Sequence, residues 1–196
     1  TPACLWLSTG VRAVDHCVEA LCSINANTYS DAQAAAALRL LIPALRTTRR
    51  KPEDLEARLD AQIGCMLSAA LVRLGVHFGA SHAIGHALGG TADVSHGYTS
   101  CVMLPPVLRY NAAAGSLAGK LQQITELFER AGEDAAGAVA AFIADLGMPT
   151  SLPEVGVTAE MFPKVAQSSM QDPWMKTNPR PIKDQSEVMR ILAMAQ

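Results

Sequence analysis

At 196 residues, 49% of them hydrophobic and 17% charged, the chain is long enough to bury a substantial core and is neither disordered nor coiled-coil in composition. Its formal net charge is −2 and its densest basic run is RRK at 49–51, so it lacks the phosphate-neutralising stripe that nucleic-acid binding requires. No apolar run approaches the ~20 residues of a membrane span, no leader-like segment opens the sequence, and five cysteines without a CxxC read as reduced residues of a cytoplasmic protein.

The pattern along the chain is helical. In VRAVDHCVEALCS the residues Val11, Val14, Val18, Ala20 and Leu21 form a broad apolar stripe, with Ser8 or Thr9 expected as N-cap. Ser30 with Gln33 reads as a capping box before AAAALRLLIPALR, which Pro43 is expected to kink or shorten. A long helix is expected from Pro52, with acids in its first turn, to Gly75. After the histidine-bearing segment, Pro105 and Pro106 are expected to break a helix that ends near Asn111 or Gly115. Two amphipathic helices follow, the second stopping at Gly147 before Pro149. Thr158 is expected to cap a short helix, and Asp184 with Glu187 the last one. Between them DPWMKTNPRP reads as extended. No segment alternates with period two. The fold expected is therefore all-α, one domain over residues 1–196 with eight or nine helices.

Chemistry concentrates in SHAIGHALGGTADVSH, which holds His82, His86 and His96. His82 and His86 lie one turn apart on the same helical face. Imidazole is a common transition-metal ligand and a common general base, and packed core histidines produce the same spacing. His16 on the first helix is a further candidate. Neither a dinucleotide fingerprint nor a phosphate loop occurs in the sequence.

VDHCVEA, GASHAIGHALGG with SHG, LPPVLRYN, GMPTSL and NPRPI together resemble the C-terminal half of the iron-containing alcohol dehydrogenases, and most nearly their maleylacetate reductase branch. The resemblance runs from about Leu5 to the C-terminus. It implies the multi-helix C-terminal domain of the dehydroquinate synthase-like fold, with an NAD(P)-binding N-terminal domain absent from this chain. It further implies an oxidoreductase acting on a small carbonyl compound. His16, His82 and His96 would correspond to metal ligands for Fe(II) or Zn(II), and His86 to a proton relay beside the nicotinamide. Homodimer formation is a further expectation. The other reading is a non-catalytic helical metal-binding or oligomerisation remnant of that family.

One position departs from the pattern. The acidic ligand expected four residues before His16 is Arg12, which is permanently cationic and cannot ligate a metal. Asp15 is expected to point about 100° away from His16 around the helix, and Glu19 shares the His16 face. Maleylacetate reductases also lack the acid, so Arg12 implies a site for an anionic oxo acid with little or no metal, its guanidinium suited to bidentate carboxylate pairing. A surface arginine paired with nearby acids is the alternative for this residue.

Overall fold

A computed structural model describes residues 1–130 and 132–196 of the chain. Nine α-helices run in order: α1 (Ala3–Cys22), α2 (Thr28–Arg50), α3 (Leu55–Arg73), α4 (Ala80–Ala92), α5 (His96–Ala112), α6 (Ala118–Leu127), α7 (Ala135–Asp145), α8 (Phe162–Ser169) and α9 (Gln185–Ala193), with short 3-10 turns between some of them and no strand among the described residues. None is both long enough and apolar enough to cross a membrane.

Local chemistry explains most of the boundaries. Asn27 caps α2 by accepting from the backbone N–H groups of Tyr29 and Ser30, and the Ser30 hydroxyl closes the box back onto Asn27. The box is thus Asn27 with Ser30, displacing the expected Ser30 with Gln33; Gln33 instead donates to the Leu67 carbonyl on α3. Asp54 caps α3 through the Ala57 N–H, two residues inside the expected start. The first helix starts at Ala3, ahead of Ser8 and Thr9, whose hydroxyls turn back onto carbonyls of their own helix. Pro43 stays within α2, and Pro105 with Pro106 within α5. Packing on both sides outweighs the hydrogen bonds those prolines forfeit. The stretch expected to be extended holds a 3-10 turn, Pro173–Thr177, opened by Asp172 accepting from the Trp174 N–H.

Two apolar cores share α5. Cys101, Leu104 and Leu108 face a large core built on α1, α2 and α7, and Val102, Met103, Val107 and Tyr110 face a smaller one under α4, α8 and α9. Helix α5 is consequently buried nearly all round, which is why its sequence shows no clean amphipathic stripe. Helices α1 and α5 approach so closely that a Cβ on Gly97 would lie 2.7 Å from the Ser8 backbone. The seam between the two cores, where α1, α4 and α5 meet, carries the polar side chains.

Candidate functional site

Helix α1 carries its ionisable side chains Arg12, Asp15, His16 and Glu19 at positions i, i+3, i+4 and i+7, which form a single polar face. That face looks toward α4. Gly79, the N-cap of α4, has no side chain with which to satisfy the first N–H groups of the helix. Glu19 reaches over from α1 and accepts from the backbone N–H groups of Gly79, Ser81 and His82 at 3.0, 2.8 and 3.3 Å. A Cβ on Gly79 would lie 2.8 Å from Asn178 Oδ1 and 3.1 Å from Glu19 Oε1, so the cap requires glycine there.

Glu19 also accepts the Nδ1–H of His82 at 2.7 Å. A carboxylate on Nδ1 selects the Nδ1–H tautomer and leaves Nε2 as a bare acceptor, and that buried Nε2 has no partner. Burial holds His82 neutral, pushing it down to about 3, and pushes Glu19 up to about 6 against its backbone N–H donors. His16 stacks on Phe78 at 4.8 Å between centroids and lies 5.0 Å from His82. Its Nδ1 is also unpartnered, and burial followed by the charges around it pushes it down to about 2.

Asp15 does not point away from the site. Fully buried, it accepts from Ser81 Oγ at 2.9 Å and Ser100 Oγ at 2.6 Å, and lies 3.5 Å from His82 Nδ1. Desolvation raises its pKa. Arg12 is not a surface residue either, being 7% exposed. Its Nη1 donates to Ser100 Oγ at 3.3 Å and its Nη2 meets His86 Nε2 at 3.4 Å. Ser100 thus bridges cation and carboxylate. Arg12 Nε has no acceptor. Gly85 makes room for this arrangement: a Cβ there would approach Thr99 Oγ1 at 3.0 Å and Arg12 Nη1 at 3.5 Å.

The outer side of the site is open. His86 and His96 are exposed and stack at 5.8 Å, and His82 and His86 are 6.4 Å apart. The structure therefore places His16 against His82 and His96 against His86; burial first, and the Arg12 charge after it, lowers the pKa of His16, His82 and His96.

Two further residues complete the site. Asp172 Oδ2 accepts from His86 Nδ1 at 2.8 Å, and Trp174 lies 5.2 Å from His86 and 5.5 Å from His82. Both come from the 3-10 turn, which is tied down when Asn178 accepts from the Ala80 N–H and donates to Asn111. Arg180 donates to the Tyr110 carbonyl and stacks over the Tyr110 ring at 3.9 Å. The sole sequence signal for Asp172 was its capping position before Pro173. His77 is exposed, and its carbonyl accepts from Ser23.

Asp15, Glu19 and His82 also bring potential metal-ligating atoms within 4.8 Å of one another. The His82 atom on that side is the Nδ1 that donates to Glu19, and the carboxylates are engaged by Ser81, Ser100 and three backbone N–H groups. An ion there would displace those bonds, so the trio supports the imidazole layer above it.

Comparison with known proteins places the chain in a family. The family model described as Fe-containing alcohol dehydrogenase family, C-terminal, matches residues 6–196. The chain is 34% identical to 1,3-propanediol dehydrogenase of Klebsiella pneumoniae over 99% of its own length and 51% of that protein. It is 32% identical to maleylacetate reductase 1 of Cupriavidus pinatubonensis over 93% of its length and 49% of that protein. The chain thus spans about half the length of these relatives. The crystal structure of maleylacetate reductase from Agrobacterium tumefaciens superimposes with a TM-score of 0.87 at 31% identity, covering 100% of this chain and 53% of that one. With its all-helical architecture and its histidine-bearing α1, α4 and α5, the chain belongs to the Fe-containing alcohol dehydrogenase family as a C-terminal domain.

Proposed function

We propose that the chain is the substrate-holding half of an NAD(P)-dependent oxidoreductase that reduces a small anionic oxo acid, with Arg12 in the place of the metal. The observation that carries this reading is the buried Arg12 guanidinium, held by Ser100 and His86 among His16, His82 and His96.

A divalent ion fits this residue set poorly. The free Nε2 of His82 and Nδ1 of His16 are suitable donors, but a fixed cation stands where the acidic ligand would be. The charge balance supports the exchange. With Arg12, Asp15 and Glu19 ionised, the centre carries one net negative charge. An aspartate in place of Arg12 would leave three, and a dication would return the sum to one. Arg12 thus supplies from the protein the compensation that a metal would otherwise bring.

Arg12 has five N–H donors and uses two of its nitrogens on Ser100 and His86, leaving capacity for a carboxylate or a polarised carbonyl oxygen. A nicotinamide, when bound by the other half of the protein, supplies the hydride to the carbonyl carbon. The oxygen then needs a proton, and His86, on the open side with Nδ1 held by Asp172, gives it from Nε2 as the imidazolium, having taken that proton from solvent. Trp174 and Phe78 wall the pocket apolar, so the charge of Arg12 is poorly screened.

The test is calorimetric titration of the chain with a small oxo-dicarboxylate and, separately, with an uncharged aldehyde of similar size. Arg12→Met is expected to weaken the dicarboxylate about tenfold or more, from loss of a charge-assisted pair worth roughly 1.5–3 kcal/mol, and to leave the aldehyde unchanged. Equal effects on both ligands, or no binding by the parent, would refute the oxo-acid reading. The latter result would favour a non-catalytic remnant.

A further inference from the structure

We infer that Asp172 is a positioning residue, setting the tautomer and direction of His86 and through it the direction in which the Arg12 guanidinium points. The inference rests on the reading of Arg12 and His86 as the substrate-facing pair, and it adds to that pair a residue from the C-terminal third of the chain.

The geometry is a linear relay. Asp172 Oδ2 lies 2.8 Å from His86 Nδ1, and His86 Nε2 lies 3.4 Å from Arg12 Nη2. A guanidinium nitrogen can only donate, so His86 Nε2 accepts. The imidazole proton therefore sits on Nδ1, where a carboxylate receives it. Each end of the relay requires the same tautomer, and Asp172 is the member that enforces it. With Nε2 bare, His86 steers one arm of the Arg12 fork, while Ser100 holds the other.

The two oxygens of Asp172 have different tasks. Oδ1 accepts from the Trp174 N–H at 2.9 Å and caps the 3-10 turn, while Oδ2 serves His86. Asp172 is only 16% exposed, so water competes weakly for Oδ2. Its position is set at the far end of the turn, where Thr177 donates to the Phe78 carbonyl and Asn178 bonds Ala80 and Asn111. The segment is therefore built against the site at both ends.

This division of labour separates a capping role from a positioning role. Asp172→Asn keeps an oxygen for the cap but presents N–H donors to His86 Nδ1. The imidazole must then accept at Nδ1 and carry its proton on Nε2, where it opposes the Arg12 donor.

The experiment is long-range ¹H–¹⁵N correlation NMR of the histidine-labelled chain at neutral pH without ligand. In the parent, His86 is expected to show a protonated Nδ1 and a bare Nε2. In Asp172→Asn the two nitrogen resonances exchange character, in Asp172→Glu the parent pattern returns, and the thermal midpoints stay close to the parent's. Asp172→Ser, which caps with its hydroxyl but falls short of His86, is the second variant and is expected to give a tautomer mixture. An Nε2–H tautomer in the parent, or a pattern unchanged in both Asp172→Asn and Asp172→Ser, would overturn the inference. No substrate enters this measurement, so its outcome is independent of whether Arg12 binds an oxo acid.

Discussion

Replacing Asp15 with alanine tests the charge balance at the centre of the site. Asp15 is fully buried, accepts from Ser81 and Ser100, and offsets Arg12 through Ser100. Its removal strands one buried cation and leaves two buried hydroxyls to find other acceptors. Stranding a buried charge costs about 3–5 kcal/mol. In a domain of this size that corresponds to a thermal midpoint ~6–20 °C lower. Urea unfolding of the parent, Asp15→Ala, Arg12→Met and the double variant completes a thermodynamic cycle. Because Arg12→Met removes the charge that Asp15→Ala strands, the double variant is expected to recover at least about 1 kcal/mol relative to the sum of the singles. An Asp15→Ala cost below about 1 kcal/mol, or additivity within about 0.5 kcal/mol, would refute the coupling and with it the role of Arg12 as the charge at the centre.

Arg12→Asp should convert the centre into a divalent-metal site, because it restores the acid beside His16, His82 and His96. Elemental analysis of anaerobically prepared protein is expected to find iron or zinc near stoichiometry in that variant and little in the parent, whereas a parent already loaded would contradict the exchange. His82, lowered from 6.5 to about 3 by burial, should remain neutral from pH 8 down to about 4 in a histidine Cε1–H NMR titration. Since the unfolded chain takes up that proton first, the stability owed to neutral His82 is complete above pH 6.5 and declines toward pH 3, at no more than ~1.4 kcal/mol per pH unit. Glu19, raised from 4.5 to about 6, acts in the opposite sense as the pH falls from 6 to 4.5, so the NMR shift is the cleaner readout. Gly97→Ala should destabilise by about 1–3 kcal/mol in urea unfolding, because its methyl meets the Ser8 backbone and forces α1 from α5; a cost under about 0.5 kcal/mol would mean the helices separate freely.

Of the histidine cluster, the pair His82 and His86 was legible from helix spacing, while His16 and His96 joined it only through the family resemblance. His82 and His86 at i, i+4 share a face whatever else the chain does. Asp15 was misjudged by comparing it with its neighbour His16, about 100° away, when Arg12 at i−3 and Glu19 at i+4 place it on the polar face of α1. That stripe was present in the sequence. Arg12 stood out as the departure at the acid's position, but its burial did not, since a permanently charged residue is seldom buried without a partner and its bridge, Ser100, lies 88 residues away.

Sequence by itself determined the all-helical architecture, the Asp184-capped start of α9, and the registers that put polar side chains on one face of α1 and α4. These follow from interactions within a few residues, which periodicity and capping chemistry encode locally. Only the tertiary structure decided that α5 would be buried on two sides, that its prolines would be tolerated, and that Glu19 would cap a different helix. It also brought Asp172 to His86 across 86 residues and His86 to Arg12 across 74. Those contacts depend on how three helices cross and on where one short turn is pinned. The local pattern of any single segment is compatible with many such arrangements, and packing of the two cores selects one of them.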